Sequence, residues 1–146
     1  MKVEDCFKKG LLKKDAKDME NAMRSLDLAR MNIEDASKNL EIERYRVVVI
    51  LSYTAMFHAA RAILFKDGIK ERSHECIPLY LKANYPELES LANTLDQYRL
   101  FRHSAIYGLD FNDDPDEGKE ALESANELLE KIEDVIKKGE NSESKC

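Results

Sequence analysis

The sequence predicts an all-α protein, an up-and-down bundle of about five helices around a four-helix-bundle-like core. Three observations predict it. Apolar residues recur at steps of three and four over long stretches, which is the period of one helix face. The β-branched run Val47–Ile50 would suit a strand, but a helical pattern continues past it and no second strand candidate exists to pair with it. The 146 residues contain only five glycines, three prolines and no tryptophan. This length suits one domain, spanning 1–138, with 1–17 as an arm or short helix and 139–146 as a disordered tail. Such a chain can bury a core without staples.

The arm is charged, with Phe7, Leu11 and Leu12 as anchors and Gly10 as a break. The first long helix runs from about Asp18 to Leu40, and Met19, Ala22, Met23, Leu26, Ala29, Ile33, Ala36 and Leu40 form one stripe along it. The second, from about Glu43 to Lys66, is apolar on nearly every side, which places it at the centre. Gly68 is its expected terminator. Ser73 is the expected N-cap of a short third helix carrying Ile77, Leu79, Tyr80 and Leu81, and Pro86 marks the next boundary. The fourth helix, about Glu87 to Tyr107, turns Leu88, Leu91, Leu95 and Tyr98 inward and stops at Gly108. A loop, Asp110–Asp114, leads to a fifth helix opened by Asp114 as N-cap and Pro115 at the first position. Its stripe runs from Ala121 to Ile136, and Lys137, Lys138 and Gly139 end it.

Composition narrows the function classes. The longest apolar run, Val47 to Leu51, is far short of the roughly 20 residues that span a bilayer, so no membrane role is expected. Cys6, Cys76 and Cys146 match no metal or redox spacing, and a reducing cytoplasm is the expected compartment. The net charge of −6 argues against broad non-specific binding to nucleic acid. The charge is uneven: 110–136 holds eleven acidic residues against two basic ones, whereas the first half is richer in Lys and Arg. No Gly-rich phosphate loop, nucleophile elbow or zinc motif occurs.

The most informative stretch is Tyr98–Gly108, where two arginines, a histidine and two tyrosines crowd the end of an apolar helix. At about 100° per residue, Arg99, Arg102, His103 and Tyr107 project within an arc of roughly 140°. Arginine offers fixed charge and a bidentate donor fork, histidine a proton exchangeable near neutral pH, and tyrosine a hydroxyl. Together they suit a phosphate of RNA or of a nucleotide. They would equally suit a solvated basic helix end that complements the dipole. His58 reads as a core histidine satisfied by a polar neighbour, with a buried proton carrier as the alternative. His74 reads as a loop brace, because no second metal ligand stands at a matching spacing.

Three stretches resemble a known family. They are the amphipathic Ala29–Tyr45, the central-helix run Tyr53–Leu64 followed by Gly68 and Ser73-His74, and Arg102-His103-Ser104-Ala105-Ile106-Tyr107. In this order they resemble the HEPN domain, over roughly Leu11 to Ile136, and are most similar to small stand-alone prokaryotic members. The resemblance implies the HEPN bundle and a homodimer. It implies RNA or nucleotide binding anchored by Arg102 and supported by Arg99, with no cofactor and no metal. The family hallmark is an arginine, a polar residue and then a histidine. Arg102 and His103 take the first two places, and Tyr107 stands where the histidine is expected. An active member would be a metal-independent endoribonuclease using Arg102, His103 and Tyr107, the toxin-like half of a toxin–antitoxin pair. A tyrosine with a pKa near 10 is a poor proton shuttle at neutral pH, which weighs against hydrolysis. The resemblance also implies a minimal nucleotidyltransferase as partner, with Tyr107 as a candidate acceptor of AMP. The alternative is a non-catalytic module that docks onto that partner.

Overall fold

The computed structural model describes residues 1–109 and 111–144, and 140–144 by backbone alone. In chain order the elements are α1 (Val3–Lys8), β1 (Leu12–Lys14), α2 (Met19–Glu41), α3 (Tyr45–Asp67), β2 (Ile69–Glu71), α4 (Cys76–Asn84), a 3-10 turn (Pro86–Leu88), α5 (Glu89–Tyr107) and α6 (Pro115–Ser144). The protein is an all-α bundle, with one two-stranded ribbon besides.

α3 is the axis. It packs against α2, α5 and α6, and its Val48, Val49, Tyr53, Met56, Ala59, Ala60, Ile63 and Leu64 are buried. By length and composition this 23-residue helix could span a bilayer, although its apolar residues are interrupted by polar ones. Here the other helices cover its apolar faces instead. α2 and α6 are amphipathic and each lays one stripe on α3, including Ala22, Leu26, Ala29 and Ala36 from α2 and Ala121, Ala125, Leu128 and Ile132 from α6.

Local chemistry explains the element ends. The Asp18 carboxylate accepts from the Asn21 backbone N–H at 2.9 Å and caps α2. Asp114 caps α6, accepting from the Asp116 N–H at 2.9 Å, and Pro115 occupies the first helical position. Gly68 ends α3 in the left-handed region, with φ 73° and ψ 49°. A Cβ there would lie 2.5 Å from the Asp15 carbonyl oxygen. Gly68→Ala is therefore expected to destabilise the fold by about 2 kcal/mol, read as a lower urea midpoint at an unchanged slope.

Several expectations are corrected. α4 starts at Cys76 with Glu75 at the N-cap, and the Ser73 hydroxyl caps nothing; the Ser73 carbonyl accepts from the Cys76 N–H at 3.3 Å in a tight turn. α6 continues through Gly139 to Ser144, so 139–144 are helical where a tail was expected. Lys66 packs where a Gly139 side chain would sit, which explains a glycine inside this helix. The rest of the expected tail, 145–146, lies outside the described residues, as does Asp110 of the expected loop. The arm is also more than a helix. β1 pairs antiparallel with β2, Lys13 opposite Lys70. Cys6 and Cys76, which match no metal or redox spacing in the sequence, are joined in a disulfide between α1 and α4. The cytoplasmic expectation thereby loses the support it drew from unpaired cysteines.

A polar knot fixes the end of α3 to α4. Asp67 accepts from the Tyr80 hydroxyl at 2.8 Å and the Tyr85 hydroxyl at 2.7 Å, while Lys66 Nζ pairs with its other oxygen at 3.1 Å. Burial first, then the Asp67 bond and charge, push both phenols well above their ordinary range. In the unfolded chain they ionise near pH 10. The stability they contribute is complete below that pH and is lost above it, because the unfolded state ionises first. Urea midpoints should fall steeply from about pH 10 upward, and the fall should be shallower in Tyr80→Phe or Tyr85→Phe.

Candidate anion-binding site

α5 buries Leu91, Ala92, Leu95 and Ala105. At helical spacing this leaves Arg99 and Arg102, both half-buried, on the flank beside α3. The Arg102 guanidinium carbon lies 5.4 Å from the centre of the Tyr53 ring, a cation–π placement that holds the side chain over α3. Among the described residues no carboxylate pairs with Arg102. Its donors are not taken up by an acid. Arg99 is partly engaged, with Nε donating to Asp96 Oδ1 at 2.9 Å.

Tyr53 extends this corner. Its hydroxyl lies 3.0 Å from His74 Nδ1, and the His74 ring stacks on Phe57 with centroids 4.2 Å apart. Arg61 sits over Phe57 and Phe65, at 5.9 and 5.1 Å, and its Nε is 2.9 Å from Glu71 Oε1, close but misaligned for a hydrogen bond. The result is a strip that runs from Arg102 on α5 over Tyr53 of α3 to His74 in the loop before α4, and from His74 over Phe57 to Arg61, both on α3.

The strip shapes its titratable groups. Burial, then the Arg102 charge, hold the His74 imidazole below its usual range; Arg99 and Arg61 add to this and Glu71 opposes it. Burial raises the Tyr53 phenol, while Arg102 and Arg99 pull it back. His58 lies edge-on to Phe57 with centroids 5.2 Å apart, and burial and then Arg61 lower its pKa. Among the described residues its buried Nδ1 has no hydrogen-bond partner, which a satisfied core histidine requires, and this corrects that expectation.

The expected cluster thus divides. Arg99 and Arg102 face Tyr53 and His74. His103 and Tyr107 pack ring against ring, centroids 4.9 Å apart and planes tilted by 49°, on the exposed outward side beside Leu100. Tyr107 is 68% exposed, so its hydroxyl is open to a large reactant. At about 100° per residue Arg102 and Tyr107 point roughly 140° apart, which explains how one arc serves two surfaces. Tyr53 and His74 join the site although sequence reasoning gave neither a role in it. Their separation of 21 positions hides the contact, and the one visible signal was a polar Tyr and His beside apolar runs.

The Arg102 corner is an open surface. Two pockets of about 310 and 350 Å³ flank the α5–α6 connection around Leu109 and Phe111 and are lined by none of Arg99, Arg102, His103 or Tyr107. Among the described residues no group of three His, Cys, Asp or Glu side chains converges on a metal position.

A family model described as HEPN domain matches residues 16–135, which contain α2 through most of α6 and every residue of the strip. No curated protein matches the chain.

Proposed function

The chain belongs to the HEPN domain family, whose members have nucleotide- or RNA-related functions, and from that premise we propose that the Arg102 corner binds a phosphate of single-stranded RNA or of a nucleotide. The observation that carries this reading is an arginine held 5.4 Å over Tyr53 with no acidic partner among the described residues. A half-buried guanidinium left without a carboxylate is suited to an anion from outside. Arg99 supports it from the next turn, with part of its fork given to Asp96. Bases have a stacking surface close by in Phe57 and the His74 ring.

The chemistry available is metal-independent phosphodiester cleavage, in which the ribose 2′-OH attacks the adjacent phosphorus and the arginines neutralise the developing charge. In that reading the protein is the toxin-like half of a toxin–antitoxin pair. The shallow, half-exposed corner favours a homodimer, in which the α5 helix of each subunit lines one cleft made from two such surfaces. The decisive experiment is binding and cleavage of a fluorescent oligoribonucleotide by wild type and Arg102→Ala in chelator at fixed salt. Equal behaviour of the two proteins overturns the reading.

Tyr107 in place of the motif histidine favours a second reading, a non-catalytic module that docks onto a minimal nucleotidyltransferase. In the toxin reading such an enzyme silences the protein instead: the exposed Tyr107 hydroxyl displaces pyrophosphate from ATP and takes up AMP. Co-expression with such an enzyme, followed by mass spectrometry, separates the two, since an AMP adduct on Tyr107 marks a silenced toxin. RNA cleavage by the protein without the enzyme would sink the module reading.

A further inference from the structure

We propose that His74 is a proton-carrying ligand of the phosphate held by Arg102, so that binding of the anion and protonation of this ring are coupled; this rests on the phosphate-binding reading above.

The geometry is specific. His74 lies in the loop before α4, and two contacts fix its ring: the stack on Phe57 at 4.2 Å with planes 24° apart, and the Tyr53 hydroxyl 3.0 Å from Nδ1. In the neutral ring Tyr53 O–H donates to Nδ1, which leaves the proton on Nε2. Nε2 has no partner among the described residues, so its proton is available to an acceptor from outside, on a ring joined through Tyr53 to Arg102. Tyr53 also serves the charged ring. When both nitrogens carry protons, Nδ1–H donates to the phenol oxygen and the tyrosine proton turns away. The same hydrogen bond therefore accommodates either protonation state without movement of the ring.

The charges around His74 supply the coupling. From α3 it meets Tyr53, His58 and Arg61; from β2, Glu71; from α5, Arg99 and Arg102. Three arginines against one carboxylate keep the empty site hostile to a second positive charge, in the same direction as burial. A bound phosphate cancels much of the arginine field and offers Nε2–H an acceptor. The ring's pKa in the complex therefore rises above that of the free protein, and binding takes up a proton. Affinity is enhanced in full below the free-protein pKa and loses the enhancement as pH rises through that of the complex. Each unit of rise in pKa strengthens binding by up to about tenfold at low pH.

The probe must not titrate itself. A 2′-O-methyl oligouridylate without a terminal phosphate has only diester anions and resists cleavage. Its affinity is measured from pH 5 to 8 at constant ionic strength, for wild type, His74→Gln and Arg102→Ala, with the His74 ring resonances followed by NMR in parallel. The expected result is binding about three- to tenfold tighter at pH 5.5 than at pH 7.5 in wild type. His74→Gln should lose that slope and bind no more tightly at pH 5.5 than at pH 7.5. The His74 resonances should titrate at higher pH with the oligonucleotide than without it. A slope that survives in His74→Gln, or His74 resonances indifferent to the oligonucleotide, overturns this proposal while the Arg102 reading stands. Binding by Arg102→Ala equal to wild type, or no binding by wild type, overturns both.

Discussion

Arg102→Ala is expected to weaken binding of a single-stranded oligoribonucleotide by about 10- to 100-fold, since a charge-assisted contact contributes about 1.5–3 kcal/mol. The effect is large because this protein has little background affinity for polyanions. It carries a net −6, and 110–136 holds eleven acidic against two basic residues. Few cations share the work, so losing one placed without an acid is felt in full. The slope of log affinity against log salt should become shallower by about 0.7 for a single strand. Arg99→Ala should cost less, because Asp96 already engages its Nε at 2.9 Å. The fold should survive, since the contact over Tyr53 is worth only about 0.5–1 kcal/mol at a partly exposed position. Matched isotherms for wild type and Arg102→Ala, with matched salt slopes, would remove Arg102 from the site.

Periodicity made the bundle legible. The stripes of α2 and α6 repeat at helical spacing over many turns, and the all-round apolar character of α3 can only be satisfied at the centre. Asp18, Gly68, Asp114 and Pro115 mark helix ends because each supplies a backbone need of its own turn. What stayed hidden depends on residues far apart in the chain. The ribbon of β1 and β2 has three residues a side, too few to show a period, and its register follows from Gly68 bringing the chain back past Asp15. The charge-rich end of α6 looks like a tail because its composition is polar, yet the backbone remains helical to Ser144. The site was half visible for the same reason. Arg99 and Arg102 are neighbours on one helix, so their proximity is local. His74 reaches them only through Tyr53, across three elements. Spacing alone also grouped His103 and Tyr107 with Arg102, because an arc of roughly 140° is wide enough to wrap from one surface onto another.

Breaking the Cys6–Cys76 bond is expected to lower stability by about 4 kcal/mol, the loop-closure entropy for a separation of 70 residues. The bond adds a covalent tie to the arm's other anchors, buried Leu12, the packed Val3, Phe7 and Leu11, and the pairing of β1 with β2. α1 has six residues, too short to persist as a helix alone, and β1 adds three more on the edge of a two-stranded ribbon. The arm also precedes the residues 16–135 that match the family, so the disulfide joins a segment outside the match to α4 within it. Both sulfurs are fully buried, which shields the bond from dissolved reductant in the folded state. Reduction should therefore be slow until the protein opens, and then lower the melting temperature by roughly 10 °C. Cys6→Ala and Cys76→Ala should each match reduced wild type, and the double variant should fall little further, because all of them remove one and the same constraint. Thiol titration in denaturant, with and without prior reduction, should differ by the two sulfurs of this bond. An identical thiol count in the two conditions, or no loss of stability on reduction, would mean that the arm is held by its packing and the β1–β2 pairing without a covalent tie.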